Sequence, residues 1–467
     1  SRRARVARSA FPVLGGFTND LPNPLLRLAM YHVVGGGIAG LAAAYRLQQR
    51  GHEVEIFEGS ETLGGLAASY DTAGDPIEVF YHHLSKSEET IVDLAAELGV
   101  GDRIEWLVGK NAYYVDGVVH PLDTPWEILA YPHMSVYDKF RLGMLTMEID
   151  VRGGIPSFDT YDDLRDFEDV PIKQFLLDHT TRGVYENFFE PLLDAKFGDR
   201  KEDVSAAWLL GRIKFRGERD LLRGEILGYP NGGFDALLDP LVESVGDETI
   251  TTNTRVTDLD IEDDEVSTIT TQRDGEETTH ETDGVVVAAM PNVLEELAGY
   301  ECEIDFQGAV CAVVTMDRPL TDTYWLNIAD EAPFGALIEH TNFVPPERYG
   351  GDHLLYVASY VQSDDEWLAT ADEAAIEERW LDAIGDLFPA FSRDHVAEFR
   401  LARAPRAAPV YERGYLDMVV PYDLGDDVAE GLYYAGMASE AQYPERSLDG
   451  GVEAGFECAD RIVEKRD

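Results

Sequence analysis

Gly35-Gly36-Gly37-Ile38-Ala39-Gly40 constrains this chain more than any other stretch, because of its flanks. Tyr31-His32-Val33-Val34 precedes it, short and apolar enough for a buried strand. Leu41-Ala42-Ala43-Ala44-Tyr45-Arg46-Leu47 follows, rich in strong helix formers and stopped by Gly51. Val54-Glu55-Ile56-Phe57 then reads as a second strand ending at Glu58. Strand, glycine turn, helix and second strand with a terminal acid form a unit that holds a dinucleotide. Gly35 permits the tight turn, Gly37 lets backbone approach a pyrophosphate, and Gly40 lets helix and strand pack closely. The helix N-terminus offers free N–H groups and positive dipole to phosphates. Glu58 can accept hydrogen bonds from ribose hydroxyls and would repel a 2′-phosphate.

A chain of 467 residues can bury ample core and should divide into two or more domains. Its formal net charge is −51, with eight lysines against thirty arginines. The acids are spread along every segment, as in Glu262-Asp263-Asp264-Glu265, rather than gathered in a tail. This pattern suits a surface solvated in a salt-saturated cytoplasm; the alternative is an acidic enzyme of ordinary salt. Either way, repulsion disfavours nucleic-acid binding and electrostatic attachment to anionic lipid. Cys302, Cys311 and Cys458 are odd in number and lack a CxxC, so neither a disulfide framework nor a metal site is expected. Buried small apolar roles suit them better. No apolar run reaches about 18 residues, so no transmembrane helix is expected, and the location expected is cytoplasmic, with room for peripheral membrane contact.

Residues 1–29 differ from the rest. Arg2, Arg3, Arg5, Arg8 and Arg27 face a single acid, Asp20, and prolines interrupt any period. One reading is an export signal built on Arg2-Arg3, but the apolar stretch Ala10 to Phe17 is short and broken by Pro12 and Gly15-Gly16. The favoured reading is a disordered upstream extension, with Met30 directly before the first strand.

Beyond Glu58 comes Gly59-Ser60-Glu61-Thr62-Leu63-Gly64-Gly65-Leu66-Ala67. Here the chain resembles the flavin-dependent amine oxidase superfamily, which includes protoporphyrinogen oxidases, phytoene-type desaturases and UDP-galactopyranose mutases. The resemblance recurs at Tyr229-Pro230-Asn231-Gly232-Gly233-Phe234, at Gly431-Leu432-Tyr433-Tyr434-Ala435-Gly436, and at Gly450-Gly451-Val452-Glu453-Ala454-Gly455. Those blocks keep the family's order. They imply a non-covalent FAD, with contacts from Gly35, Gly37, Ile38, Ala39 and Gly40, from Glu58, and from the Gly64-Gly65 pair. They extend the same implication to Val256, Gly436, Gly451 and Val452. Leu66 stands where relatives often carry Arg, and Met437 where many carry an acid, so neither contact is carried over.

The implied fold class is α/β, a discontinuous Rossmann-like FAD-binding domain with an inserted α+β substrate domain. The FAD-binding pieces are 30–100, 228–296 and 405–467; the substrate or cap pieces are 101–227 and 297–404. Ser87 to Leu98 reads as a helix, with Ser85-x-x-Glu88 as its cap. Arg255–Ile261, Val266–Thr271 and Glu277–Thr282 read as a meander turning at Asp274-Gly275. Val285–Ala289 and Leu432–Ala435 read as buried strands, and a last helix is expected from Val452, its N-terminus near Gly450-Gly451. In 297–404, strands are expected at Ala309–Met316 and Leu354–Tyr360, then a helix over Glu366–Leu387. The aromatics of 101–227, among them Trp126, Tyr137 and Phe140, are expected mostly in the core.

In such a protein the cofactor carries the chemistry, taking a hydride at N5 from a C–H held against its face. The protein positions the carbon, excludes water and stabilises the reduced ring. The resemblance points to His82 and His83 in Tyr81-His82-His83, and to Lys196, as catalytic candidates. Ordinary loop or core histidines and a surface ion pair are the alternatives. Arg212 and Lys214 are weaker candidates for meeting an acidic substrate group. The substrate class implied is a porphyrinogen, an isoprenoid or carotenoid, or an amine, with oxygen, quinone or nicotinamide as electron acceptor. A non-redox flavoenzyme of the mutase type, and a flavin-binding protein without turnover, are the competing readings.

Densely spaced like charges should destabilise the fold at low ionic strength, and the Debye length falls from about 10 Å at 0.1 M to about 3 Å at 1 M. The melting temperature should keep rising between about 0.5 and 2 M KCl. Equal values in about 0.1 M and 2 M KCl would remove the case for adaptation to salt.

Overall fold

The computed structural model describes residues 29–147, 149–150, 153–154, 161–215, 219–220, 222–363, 366–443 and 446–466. Residues 1–28 of the expected extension lie outside the described residues. Ala29 does not belong to such an extension: it is buried, and its carbonyl accepts from Glu53 N–H at 3.1 Å.

A five-stranded parallel sheet organises the nucleotide half. Strand β1 is Met30–Val34, helix α1 is Ile38–Gln49 and strand β2 is Glu53–Phe57. The sheet order is Ile250–Thr251, β2, β1, Val285–Val287, Leu432–Tyr434. Val33 pairs with both Ile56 and Val286, and Val286 with Tyr433, so an apolar row crosses the central strands. Alternation sorts their side chains between two layers. Tyr31, Val33, Val54 and Ile56 pack with α1, the helix Asp235–Val245 and the closing helix Leu448–Arg466. Val34, Phe57, Val285 and Val287 pack with Val256, Leu259, Val266 and Ile269 of the meander.

That meander runs as expected: Arg255–Glu262, Glu265–Arg273 and Glu276–Glu281, antiparallel. Asp274 and Gly275 both take positive φ, 52° and 83°, the signature of a tight primed turn. Asp263 and Asp264 repeat it at 51° and 66°, so part of the acid run there is a turn.

A seven-stranded sheet builds the other half. It draws Asn111–Val115 and Val118–Pro121 from one insertion and Phe306–Met316, Trp325–Ile328, Ala336–Glu339, His353–Val361 and Val396–Pro409 from the other. Its last strand crosses the boundary expected near 405, since Ala408 still pairs with Gln307. Helices pack on it, Glu190–Phe197 and Glu373–Leu387 against its strands and Pro125–Ala130 at its edge.

Several expectations are corrected. The helix expected over Glu366–Leu387 is two, Trp367–Thr370 and Glu373–Leu387, because Ala371 and Asp372 are extended. The helix expected at Ser87 is Glu89–Glu97, and Ser85 does not cap it. Asp449 of the closing helix does so instead, accepting Ile91 N–H at 2.7 Å. The closing helix itself starts at Leu448 rather than near Gly450, and Gly450 N–H reaches Ser447 Oγ at 3.1 Å. The aromatics of 101–227 are mostly buried as expected, Tyr113, Tyr114, Tyr131, Tyr185, Phe189 and Trp208 among them, whereas Trp126, Tyr137 and Phe140 are 68%, 58% and 56% exposed. Cys311 and Cys458 are buried as expected, Cys302 only partly, and all three are free thiols.

One buried acidic residue, Glu78, touches both halves. Glu78 is 1% exposed and accepts from Tyr229 OH at 2.8 Å and Phe234 N–H at 2.8 Å. Its backbone carbonyl accepts from Tyr356 OH of the seven-stranded sheet at 2.6 Å. Burial pushes its pKa up from 4.5 to about 7, against the pull of those hydrogen bonds. A carboxyl raised in the folded state contributes fully below its unfolded value and loses that contribution as pH rises through about 7. Glu78→Gln should therefore flatten the decline in stability between pH 5 and 8, by on the order of 3 kcal/mol relative to the parent. Denaturant unfolding at both pH values would show it; parallel losses in parent and variant would contradict it.

Candidate functional site

The glycine turn sits between α1 and the two neighbouring strand ends. Gly35 has φ of +109°, and a Cβ there would lie 2.5 Å from Ala288 O. A Cβ on Gly40 would collide with Gly35 O. Both glycines are therefore demanded by the protein's own packing. Gly37 is different. Its φ of −73° suits any residue, and a Cβ there would meet nothing nearer than Gly65 Cα at 4.0 Å. Packing within the chain therefore does not demand glycine at this position, and the space beside its backbone is open.

The facing wall of that open space is the Gly64-Gly65 loop, with φ of 95° and 59°. Gly64 N–H donates to Gly36 O at 2.9 Å. Glu58 closes one end: its two carboxylate oxygens accept from Gly36 N–H and Ser60 N–H, each at 2.7 Å. Thr254 N–H donates to Glu58 O at 2.8 Å, which brings the start of the meander, and buried Val256, to the same rim. The closing helix lies against α1. A Cβ on Gly451 would come 2.8 Å from Ile38 Cγ2, and one on Gly455 would lie 2.8 Å from Ala43 N. Val452 between them is fully buried, and a Cβ on Gly436 would clash with Ala289 O.

The closing helix leads from this cradle into a cavity of about 520 Å³ whose wall includes Ser447 and Leu448. Phe80, Tyr81, Trp325, Tyr360, Phe188 and Phe189 supply aromatic lining, and Leu142, Leu145, Leu192 and Leu209 supply aliphatic lining. His82, His83, Lys196, Arg212 and Arg446 line it too, as do the acids Glu88 and Glu225. His82 Nδ1 is 2.6 Å from Phe80 O, and a carbonyl only accepts, so Nδ1 carries the hydrogen. Burial first, then the Arg446 charge, push His82 down to about 4, so the ring is neutral near pH 7 with its lone pair on Nε2. His83 Nδ1 is 3.0 Å from Tyr324 OH.

Residues 38–463 match the family model described as flavin containing amine oxidoreductase. The chain belongs to that family. It is similar to the 15-cis-phytoene desaturase of Glycine max, 23% identical over 95% of this chain and 80% of that protein. In fold it is similar to a putative protoporphyrinogen oxidase from Exiguobacterium sp. 255-15, TM-score 0.74 at 16% identity, covering 94% of this chain and 99% of that one. Reduced UDP-galactopyranose mutase also superposes, TM-score 0.69 at 18% identity, covering 94% of this chain and 96% of that one. The chain is thus a flavin-dependent oxidoreductase with a mixed α/β fold and a Rossmann-like parallel sheet.

Within this family member the three catalytic candidates, His82, His83 and Lys196, share one cavity. Lys196 is not at the surface. It is 8% exposed, with its ammonium 5.1 Å from the centroid of the Trp208 ring. The Arg212 guanidinium is 5.3 Å from the same ring. Lys214 has its side chain outside the described residues. Sequence reading missed Arg446, Ser447 and Glu225. Ser447 was the legible one, since a serine directly before a helix is a strong N-cap signal. Among the described residues no helix is long and apolar enough to cross a membrane.

Two glycine substitutions separate packing from ligand approach. Gly37→Val should leave the melting temperature within a few degrees of the parent yet abolish flavin retention on gel filtration. Gly40→Ala should cost roughly 3 kcal/mol or more in stability, through overpacking against backbone that cannot yield. Full flavin occupancy in Gly37→Val would show that nothing approaches that backbone.

Proposed function

We propose that this chain is an FAD-dependent enzyme that oxidises or desaturates a fairly large, apolar or conjugated substrate. The observation that carries this reading is the unneeded glycine at position 37, facing Gly64-Gly65, at the head of a helix pair that opens into an aromatic cavity. Gly35, Gly37, Ile38, Ala39 and Gly40 would hold the pyrophosphate, with Gly64 and Gly65 on the opposite side. Glu58 would hold the adenosine ribose, its carboxylate already aimed by two backbone N–H groups. Val256, Gly436, Gly451 and Val452 would complete the bed. When bound, the flavin supplies a two-electron acceptor for hydride.

The remaining work falls to this chain's own residues. The aromatic and aliphatic wall orients an apolar carbon skeleton and keeps water out. Ser447 and the first turn of the closing helix set a positive dipole end on the cavity wall. Lys196 and Arg212, held over one indole, add fixed positive charge. Together they stabilise negative charge as it develops. His82, neutral, serves as a hydrogen-bond acceptor rather than an acid. The electron acceptor is oxygen, a quinone or a nicotinamide.

The helices that wall the cavity also face outward. Ile128, Leu142 and Leu145 line it, while Trp126, Leu129, Val136, Tyr137, Phe140 and Met147 of the same segment are 55–82% exposed. Glu127, Asp138, Lys139 and Arg141 balance to zero charge across residues 124–147, in a chain of net −51. This face suits contact with a lipid phase from which an apolar substrate would be drawn, by an otherwise cytoplasmic protein.

Anaerobic mixing with porphyrinogens, carotenoid precursors and amines should find a compound that bleaches the flavin. Lys196→Met should slow that bleaching by about 10²- to 10³-fold with FAD retained. Net isomerisation without change of oxidation state would assign the mutase type instead. Neutral vesicles should sediment the protein, and less of Phe140→Ser; equal sedimentation of both would exclude that face.

A further inference from the structure

Strand β1 carries one polar side chain on the face that packs against the meander. His32 is 1% exposed there, its ring stacked on Phe57 with centroids 5.7 Å apart. Its Nδ1 is buried and has no hydrogen-bond partner. An unsatisfied buried polar atom costs about 1–3 kcal/mol, which an apolar residue at this strand position would avoid.

Two further potential ligands converge on it. The parallel register sets Glu55 of β2 directly beside His32, and its carboxylate lies 3.6 Å from His32 Nε2. His280 arrives from the third strand of the meander, its ring centroid 5.7 Å from that of His32. His280 Nε2 lies 3.0 Å from Thr271 Oγ1, which leaves Nδ1 as the nitrogen open to a further partner. One ring nitrogen of each histidine and one carboxylate oxygen all lie within 4.8 Å of one another.

We propose that His32, Glu55 and His280 form a binding site for a divalent transition metal of the zinc class, with solvent completing the coordination. Two imidazoles and one carboxylate make a borderline N/O donor set, which favours such ions over calcium or magnesium. Bonds of about 2.0–2.2 Å place tetrahedral ligands roughly 3.3–3.5 Å apart, so the cluster must contract on binding. Glu55, with its side chain 44% exposed, is free to make that movement and leaves an entry path from solvent. Thr271, buried, accepts the outer His280 N–H and so fixes the tautomer, the usual arrangement behind a metal-bound imidazole. A bound ion would staple β1 and β2, which run out at Gly35 and Glu58, to the meander. It would therefore stabilise the cradle by mass action without touching the cavity.

The test is titration of the chelator-treated full chain with Co²⁺ in about 2 M KCl, where screening weakens diffuse binding to surface carboxylates. A single saturable equivalent should appear, with the ligand-field absorption of a low-coordinate nitrogen-bearing site, and Zn²⁺ should displace it. Zinc should raise the melting temperature. His280→Ala and Glu55→Gln should each abolish the saturable equivalent, and Thr271→Val should weaken it by about 10- to 100-fold. All three should keep the parent's flavin occupancy, which checks folding independently of metal. Absence of a saturable equivalent in the parent, or equal affinity in His280→Ala, would overturn the proposal.

Discussion

Everything in this molecule hangs on how closely two helices approach. Gly451 and Gly455 present bare backbone to Ile38, Ala39 and Ala43, and no larger residue fits. That contact aligns the first turns of α1 and the closing helix over one edge of the parallel sheet. Two positive dipole ends and a set of free N–H groups then share a small volume. Gly35 and Gly40 serve the same approach from below, by bringing strand and helix together. The cradle is thus a by-product of packing, and Gly37 alone among these positions is spared by packing for another use.

The second dependence is polar. Glu78 binds the nucleotide half to the strand-and-helix block at Tyr229 and Phe234, while Tyr356 ties its backbone to the seven-stranded sheet. The cavity lies at this junction, with Phe80 to His83 following Glu78 by only a few residues. The buried carboxylate fixes this segment against Tyr229 and Phe234 through hydrogen bonds that point in definite directions, and its backbone carbonyl adds the tie to the seven-stranded sheet.

The local patterns were readable in the chain. The flanks of the Gly35–Gly40 turn, the apolar runs at Val285 and Leu432, and the Asp274-Gly275 turn each carry a short-range physical signal. What could not be read depends on residues far apart in sequence. Asp449 caps a helix that begins at Glu89, and the local Ser85-x-x-Glu88 pattern misdirects the reading. Lys196 looked like a surface charge because nothing nearby announces Trp208 beneath it. Trp126, Tyr137 and Phe140 looked like core because aromatic residues usually are, and no local rule says which side of a short helix meets solvent. His82, His83 and Lys196 were each named from the chain, but their shared cavity is a tertiary fact.

The helix contact at Ala39 and Gly455 also has a temporal side. Its two partners stand near opposite ends of the chain, and the central sheet takes its edge strand, Leu432–Tyr434, almost as late. During synthesis, at about 5–20 residues per second, the first strand and helix must wait tens of seconds for their neighbours. Until then the strand Val285–Val287 has an unpaired edge and α1 an uncovered face at Ala39 to Ala43. The seven-stranded sheet, by contrast, has all its strands once residue 409 has emerged. Assembly should therefore proceed from the middle of the chain outward. The cradle is then the last of these parts to form, and cofactor loading must wait until the closing helix has emerged to cover α1.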